Sequence, residues 1–301
     1  MKNARAIFLT VLLLLAAAGQ CRAEKQSYSF GVFWDAGNKL NTSYSIMAKD
    51  LTKAFSQTEK IKMFNIYYKN IGSFQDDIGT RKLDFIYANT EKDFLHATIY
   101  GYKPFATLSI FGKQKASYCI YVKSDNTATS TAGLAGKKLV TYPYQNTYTL
   151  LRKMLNAPPE KTFGKIMTTT DAFASVNALA SGAADAIFLL ETNVDYFKQV
   201  NPGPVKKIKK LACSDPQYFM PLMVSPEVPD PMVARTKNFF ASLNTNVELQ
   251  KYKPLMKQVG LKIIFVGEAD YEPFLKMYEA ALADGWDKDF DAWAATAQAL
   301  K

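Results

Sequence analysis

The sequence predicts an α/β fold in which strands and helices alternate and build largely parallel sheets. Short runs rich in β-branched and aromatic residues recur along the chain, as at 27–33, 63–68 and 84–88. Between them, apolar residues recur at helical spacing, as in segments 44–55 and 74–78. The chain has 301 residues, of which 48% are hydrophobic, so it is long enough for two lobes with their own cores.

Residues 1–23 predict a secretory signal that is separate from the fold. A basic start is followed by the apolar residues 7–18 and by Ala23, a small residue suited to cleavage before Glu24. The apolar run is shorter than the roughly 20 residues that a transmembrane helix needs. We therefore expect an exported protein that begins at Glu24, with a lipid anchor on Cys21 as the alternative.

The first half of the exported chain predicts three strand-and-helix units. Each strand ends in a polar or aromatic loop, and the residues Trp34, Asn89 and Thr90 belong to these loops. Strands that alternate with helices favour parallel pairing, because each helix carries the chain back across the sheet. The predicted elements are a strand at 27–33, a helix around 44–55, a strand at 63–68, a short helix around 74–78, a strand at 84–88 and a helix around 94–95.

The second lobe is predicted to begin with an apolar strand at 117–123, and its central element is the segment 136–155. There a buried strand at 138–142 meets Pro143, which cannot donate to the ladder, and residues 144–147 lead into a helix. Such a loop lies at the carboxyl end of the strands, where ligands bind. The further elements are a strand at 165–168, a helix at 173–180 capped by 169–171 and stopped by Gly182, strands at 184–190, 208–212 and 218–224, and a mainly helical tail at 232–301 with a strand at 262–266.

Charge and motif content argue against a nucleic-acid-binding protein and against an enzyme. Residues 1–23 hold three basic residues and no acidic ones, so the exported chain has 34 basic and 27 acidic residues, a net charge of +7. These charges are dispersed, which argues against nucleic-acid binding. The sequence has no Gly-rich phosphate loop, nucleophile motif or metal-ligand spacing, and its one histidine, His96, is expected to be structural. We therefore predict no catalytic residue, metal or cofactor.

Seven segments follow one another in a characteristic order over essentially the whole exported chain. They are SFGVF, GTRKLDFIYANTEKDFLHATIYGYKPFAT, SYCIYVKSD, LAGKKLVTY, TTTDAFASVNALASGAADAIF, SDPQYFMPLMVSPEVP and VGLKIIFVGEADYEPF. In this order they resemble the phosphate, phosphite and phosphonate-type periplasmic substrate-binding proteins of ABC transporters, which have the type II periplasmic binding protein fold. The resemblance implies a ligand site between two lobes joined by two crossing segments.

The resemblance also implies a domain plan, a location and a set of partners. Residues 24–115 and 218–301 would form the first lobe, and residues 116–217 the second lobe. The protein would lie in the periplasm, act as a monomer, bind a small molecule and deliver it to an inner-membrane permease. Cys119 and Cys213 fall near the two crossing segments, so a disulfide is implied there, although two buried free thiols are equally consistent with their apolar surroundings.

Candidate ligand-binding residues come partly from the resemblance and partly from the residues themselves. The family's anion-binding cluster, its histidine and its acidic residue match Gln145, Asn146 and Thr147, then Thr170, then Glu191. Its aromatic from the third strand and the loop after that strand match Tyr87, Asn89 and Thr90. The clustering of aromatic rings around the central loop adds Trp34, Tyr144 and Tyr148, and the end of the strand before Glu191 adds Asn193.

Glu191 suggests which ligand the site takes. A carboxylate at the end of a buried strand needs a partner, which is either an amine or hydroxyl of the ligand or a lysine of the protein. An unpaired Glu191 would repel an anion, so we expect a larger amphipathic or lipid-like ligand. The alternatives are a phosphonate or phosphate-type anion, and a ligand-sensing module that signals to a membrane partner.

Overall fold

The structure is a computed structural model, and it confirms an α/β fold built from two main sheets flanked by helices. It describes residues 25–33, 40–88, 90–142, 148–169, 171–243, 245, 247–258, 260, 262–285 and 298–299. Within these ranges the strands form two sheets of six strands and one sheet of two strands.

The strands account for most of the segments that the sequence predicts to be extended. They are β1 (Ser27–Phe33), β2 (Lys62–Tyr68), β3 (Phe85–Tyr87), β4 (Lys103–Ser109), β5 (Lys115–Ala116), β6 (Tyr118–Lys123), β7 (Lys138–Thr141), β8 (Lys165–Thr168), β9 (Ala186–Leu190), β10 (Ile208–Cys213), β11 (Gln217–Tyr218), β12 (Leu222–Val224), β13 (Lys262–Phe265) and β14 (Gln298–Ala299).

The helices lie between these strands, and two short 3-10 helices span Thr131–Leu134 and Val247–Tyr252. The α-helices are α1 (Leu40–Glu59), α2 (Ile71–Gly79), α3 (Glu91–Ile99), α4 (Tyr148–Leu155), α5 (Pro159–Thr162), α6 (Ala172–Ser181), α7 (Glu191–Val200), α8 (Pro202–Val205), α9 (Asp230–Ala241), α10 (Lys253–Gln258) and α11 (Glu268–Ala283). Helix α6 begins and ends as predicted: the Asp171 side chain accepts from the Ala174 N–H at 2.7 Å, and Gly182 adopts a left-handed conformation at φ 86°.

Each main sheet combines a parallel part with an antiparallel part, so it is more mixed than the sequence predicts. The first sheet has the order β13-β4-β12-β3-β1-β2, in which β1 pairs in parallel with β2 and β3, whereas β12 runs antiparallel to β3 and β4. The second sheet has the order β10-β6-β9-β7-β8-β14, in which β6 and β10 are antiparallel.

The last strand differs from the predicted domain plan. Gln298–Ala299 pairs in parallel with β8 and so joins the second sheet, whereas the sequence predicts all of segment 218–301 in the first lobe. This pairing covers an edge of β8 that would otherwise present unpaired backbone groups. The cores follow the pleat: neighbours Phe85 and Ile86 belong to clusters on opposite faces of the first sheet, so both faces are covered.

Two crossing segments, residues 110–117 and 214–221, connect the lobes and run side by side. They are held together by antiparallel pairing of β5 with β11, and by a hydrogen bond from the Ser214 N–H to the Tyr118 carbonyl at 2.8 Å. A disulfide joins Cys119 of β6 to Cys213 of β10, which face each other in the antiparallel register. The disulfide therefore links the strand that enters the second lobe to the strand that leaves it.

Candidate functional site

The N-terminal ends of two helices from different lobes meet between the sheets. Helix α3 of the first lobe begins at Glu91, and its N-cap is Thr90, whose side chain accepts from the Asp93 N–H at 2.9 Å. Helix α4 of the second lobe begins at Tyr148, so Thr149 lies in its first turn. Hydrogen bonding joins Thr149 to the Glu91 carboxyl group, so one side chain spans the two helix ends.

Glu91 is the most unusual side chain at this junction. It is only 3% exposed, and its Oε1 atom has no hydrogen-bond partner. Burial raises the pKa of Glu91 to about 8, although hydrogen bonding from the side chain and backbone of Thr149 works to lower it. A buried carboxyl group with an unpaired oxygen destabilises the folded protein unless a hydrogen-bond donor reaches that oxygen. Glu91 Oε1 is therefore a position at which a bound group that donates a hydrogen bond would be stabilised.

Tyr118 lies near Glu91, and Tyr87 lies near Tyr118. Burial raises the pKa of Tyr118, and the nearby acidic groups of Glu91 and Tyr87 raise it further. Tyr118 begins the strand that follows the first crossing segment, and Tyr87 ends β3 of the first lobe. The junction is therefore surrounded by parts of both lobes and of the connection between them.

A second buried acid lies behind the junction on the same helix. Asp93 is fully buried, neither of its oxygens accepts a well-formed hydrogen bond, and burial raises its pKa to about 6, with Thr90 and Gln75 acting to lower it. His96 bonds through Nε2 to the Gln75 carbonyl at 2.9 Å. This contact is the kind that a structural histidine makes.

Glu191 is compensated by lysines of the protein. Its carboxylate lies 3.0 Å from Lys210 Nζ and 3.3 Å from Lys113 Nζ, and it accepts from the Ser117 N–H at 3.2 Å. Burial works to raise the pKa of Glu191, but Lys210, Ser117 and Lys113 together hold the pKa below its usual value. Of the two partners that the sequence leaves open for Glu191, the structure shows lysines, and contact with a ligand stays a prediction.

The other predicted site residues are placed as follows. Tyr148 is buried in the core of the second lobe, where its hydroxyl accepts from Arg152 at 3.2 Å, and Asn193 lies half-buried in the first turn of α7. Thr90 caps α3 and Tyr87 lies near Tyr118, so these two are at the junction. The predicted residues that lie outside the described residues are Trp34, Asn89, Tyr144, Gln145, Asn146, Thr147 and Thr170.

Sequence reasoning missed Glu91, Thr149 and Tyr118 as site residues. An acidic residue in the first turn of a helix is ordinary, because it is favoured by the helix dipole, so Glu91 carries no distinctive local signal. What distinguishes it is its contact with a residue of the other lobe, which is distant in sequence. Among the described residues there is no cluster of three or more metal-ligating side chains, and no helix with the length and apolar character needed to cross a membrane.

Comparison with known proteins identifies the family. The sequence model of a family described as "ABC transporter, phosphonate, periplasmic substrate-binding protein" matches residues 35–285. The chain belongs to this family. This confirms the resemblance and the classes of protein that it implies, namely transport proteins and ABC transporter substrate-binding proteins. No curated protein matches the chain.

Solved structures support the fold of this phosphonate-type binding protein. A binding-protein component of an ABC phosphonate transporter from Pseudomonas aeruginosa has 14% identity and a TM-score of 0.62, covering 84% of this chain and 85% of its own. PhnD1 from Prochlorococcus marinus, in complex with methylphosphonate, has 11% identity and a TM-score of 0.63, covering 85% and 98%. XAC2383 from Xanthomonas citri, bound to ATP, has 10% identity and a TM-score of 0.64, covering 89% and 99%. These proteins share the two-lobe fold with this binding protein.

Proposed function

We propose that this protein captures a phosphonate- or phosphate-type organic ligand between its two lobes and delivers it to a membrane permease. The observation that carries the proposal is the meeting of the α3 and α4 N-termini across the lobes. Free N–H groups and the positive end of the dipole make a helix N-terminus a favourable place for an anion. Membership of the phosphonate family supports the same ligand class.

The electrostatic reason for expecting an amphipathic ligand is weaker in the structure than in the sequence. That expectation depends on an uncompensated Glu191, yet two ammonium groups lie within 3.3 Å of its carboxylate. Repulsion of an anion by Glu191 is therefore largely cancelled within the protein. A larger ligand with apolar surface remains the second candidate because of the tyrosines that the sequence places around the central loop.

The ligand class is tested by titration calorimetry on refolded, ligand-free protein. We expect phosphate, methylphosphonate or a larger organic phosphonate to bind, and a panel of lipid-like compounds without a phosphoryl group not to bind. Glu191→Gln should tighten anion binding, because it leaves the ammonium groups of Lys210 and Lys113 without the carboxylate that now balances them. Binding of the lipid-like panel alone would refute the proposed ligand class.

Binding should be accompanied by closure of the lobes about the crossing segments. A ligand between the lobes contacts both of them only in the closed state, and this difference in contacts drives the change. Small-angle scattering at saturating ligand should show a smaller radius of gyration, with the protein remaining a monomer. An unchanged radius at saturation would contradict a site between the lobes.

We propose that the exported protein begins at Glu24, in keeping with its membership of a periplasmic family. The intact mass of protein recovered from the periplasm should equal that of residues 24–301, with the Cys119–Cys213 disulfide formed and no lipid attached. A mass that retains residue 1, or that includes lipid on Cys21, would contradict this prediction.

A further inference from the structure

We propose that Glu91 and an anionic ligand bound at the junction hold a single proton between them, so that the protein binds an oxyanion together with one proton. The inference rests on the proposed function and deepens it, because it states the protonation state in which the ligand is bound. Its basis is a 97% buried carboxyl group with a free oxygen at two converging helix N-termini.

The helix ends attract negative charge to this position. Glu91 is the first residue of α3 and reaches Thr149, the second residue of α4. The first N–H groups of a helix have no partner within it, so both ends present donors that an oxyanion can use. Glu91 supplies negative charge here when it is ionised, and it then competes with the ligand for the same donors.

Two negative groups cannot share this position without a counter-charge. At 4 Å and an effective dielectric constant of about 20, their repulsion is about 4 kcal/mol, which exceeds the net contribution of several neutral hydrogen bonds. In the described part of the chain no basic side chain forms an ion pair with Glu91. A proton between the Glu91 carboxyl and an oxygen of the ligand removes the repulsion and supplies the donor that Oε1 lacks.

The titratable groups near Glu91 do not supply a positive charge that could take the place of this proton. Tyr118 of β6 lies near Glu91, and Tyr87 of β3 lies near Tyr118. The pKa of Tyr118 is raised by burial and then by Glu91 and Tyr87. On its own helix, Lys92 is exposed and Asp93 is buried, with its pKa raised to about 6 by burial. Burial likewise raises the pKa of Glu91 to about 8, so a proton is available at neutral pH.

The pH dependence of anion affinity tests whether the anion binds together with one proton at Glu91. Methanesulfonate is the best probe, because it is a permanent anion with no proton of its own to lose, so any pH dependence belongs to the protein. If the complex needs one proton, affinity should fall tenfold for each pH unit above the pKa of Glu91. Titration calorimetry from pH 6 to pH 10 in native protein would measure this fall, with methylphosphonate as the second probe.

Two variants separate Glu91 from other groups. Glu91→Gln keeps a donor at all pH values, so its affinity for methanesulfonate should not change with pH above 7. Glu160→Gln makes the same carboxyl-to-amide change on α5, outside the junction, and should keep the native tenfold fall. Calorimetry in two buffers of different ionisation enthalpy would count the proton taken up, which should approach one above pH 8 in native protein.

Each outcome decides the proposal. The proposal is supported if the affinity for methanesulfonate falls with rising pH in native and Glu160→Gln protein but does not change in Glu91→Gln. The proposal is overturned if the affinity of native protein does not change with pH, or if the affinity of Glu91→Gln falls as steeply as that of native protein. It is also overturned if neither anion binds. A methylammonium ion that binds more tightly as pH rises would also overturn it, because ionised Glu91 would then be a cation site. Lobe closure with any other ligand would leave the transport function standing.

Discussion

Loss of the Cys119–Cys213 disulfide is expected to lower the free energy of unfolding of the second lobe by about 4 kcal/mol. The two cysteines are 94 residues apart, and closing a loop of that length removes much of the conformational freedom of the unfolded chain. The bond joins opposed residues of β6 and β10, the strands at which the chain enters and leaves the lobe. Without this bond, nearly all of the second lobe gains conformational freedom in the unfolded state, which favours unfolding.

Denaturant unfolding with and without reductant would measure this effect. The double variant Cys119→Ala with Cys213→Ala should unfold like reduced native protein and should not respond to reductant. Alanine is the better replacement at Cys119, because this residue is fully buried and a serine would bring in a hydroxyl group without a partner. Identical transitions of native protein in oxidising and reducing conditions would contradict the prediction.

Much of the fold follows from local sequence patterns. The strand Ser27–Phe33 and the cap and stop of α6 at Asp171 and Gly182 are as predicted, because each depends on neighbouring residues alone.

Strand β4 is not predicted by the sequence. It carries Pro104 as its second residue, and proline is rare within central strands because it cannot donate to the ladder. The structure accommodates it with an irregular register opposite β12.

Helix α7 follows a predicted strand at a place where the sequence predicts no helix. Glu191 and Asn193 follow β9 directly, and the N-cap Leu190 has no side-chain acceptor, so the usual start signal is missing. The Glu191 N–H is instead bound by the Ser117 carbonyl at 2.9 Å, from the first crossing segment. That partner is distant in sequence and cannot be inferred from local pattern.

The same limit applies to the candidate site. Sequence reasoning selected Glu191 because it ends a buried strand, but two lysines from other segments compensate its charge. Glu91 has the less distinctive sequence context, yet it is the acid with a buried, unpartnered oxygen at the junction. The charge balance of a site depends on contacts between lobes, and these are set by the tertiary structure.

Glu91→Gln is expected to stabilise the ligand-free protein at alkaline pH by roughly 3 to 5 kcal/mol relative to native protein. Burial raises the pKa of Glu91 from its usual value of 4.5 to about 8, and this difference corresponds to about 5 kcal/mol. Between these pH values the folded state keeps a proton that the unfolded state has lost. Native stability therefore falls as pH rises, by about 1.4 kcal/mol per pH unit, and the fall ends above pH 8.

Denaturant unfolding between pH 4.5 and pH 9 would measure this, with Asp93→Asn as a matched control on the same helix. Burial raises the pKa of Asp93 only to about 6, so both acids contribute to the fall in stability below pH 6 and Glu91 alone contributes above it. Asp93→Asn should therefore make the fall between about pH 4.5 and pH 6 roughly half as steep and leave the fall from pH 6 to pH 8 intact. Glu91→Gln should remove that later fall. Parallel stability curves for native protein and Glu91→Gln from pH 6 to pH 9 would show that Glu91 is already ionised at neutral pH, and would remove the proton that the anion site is proposed to use.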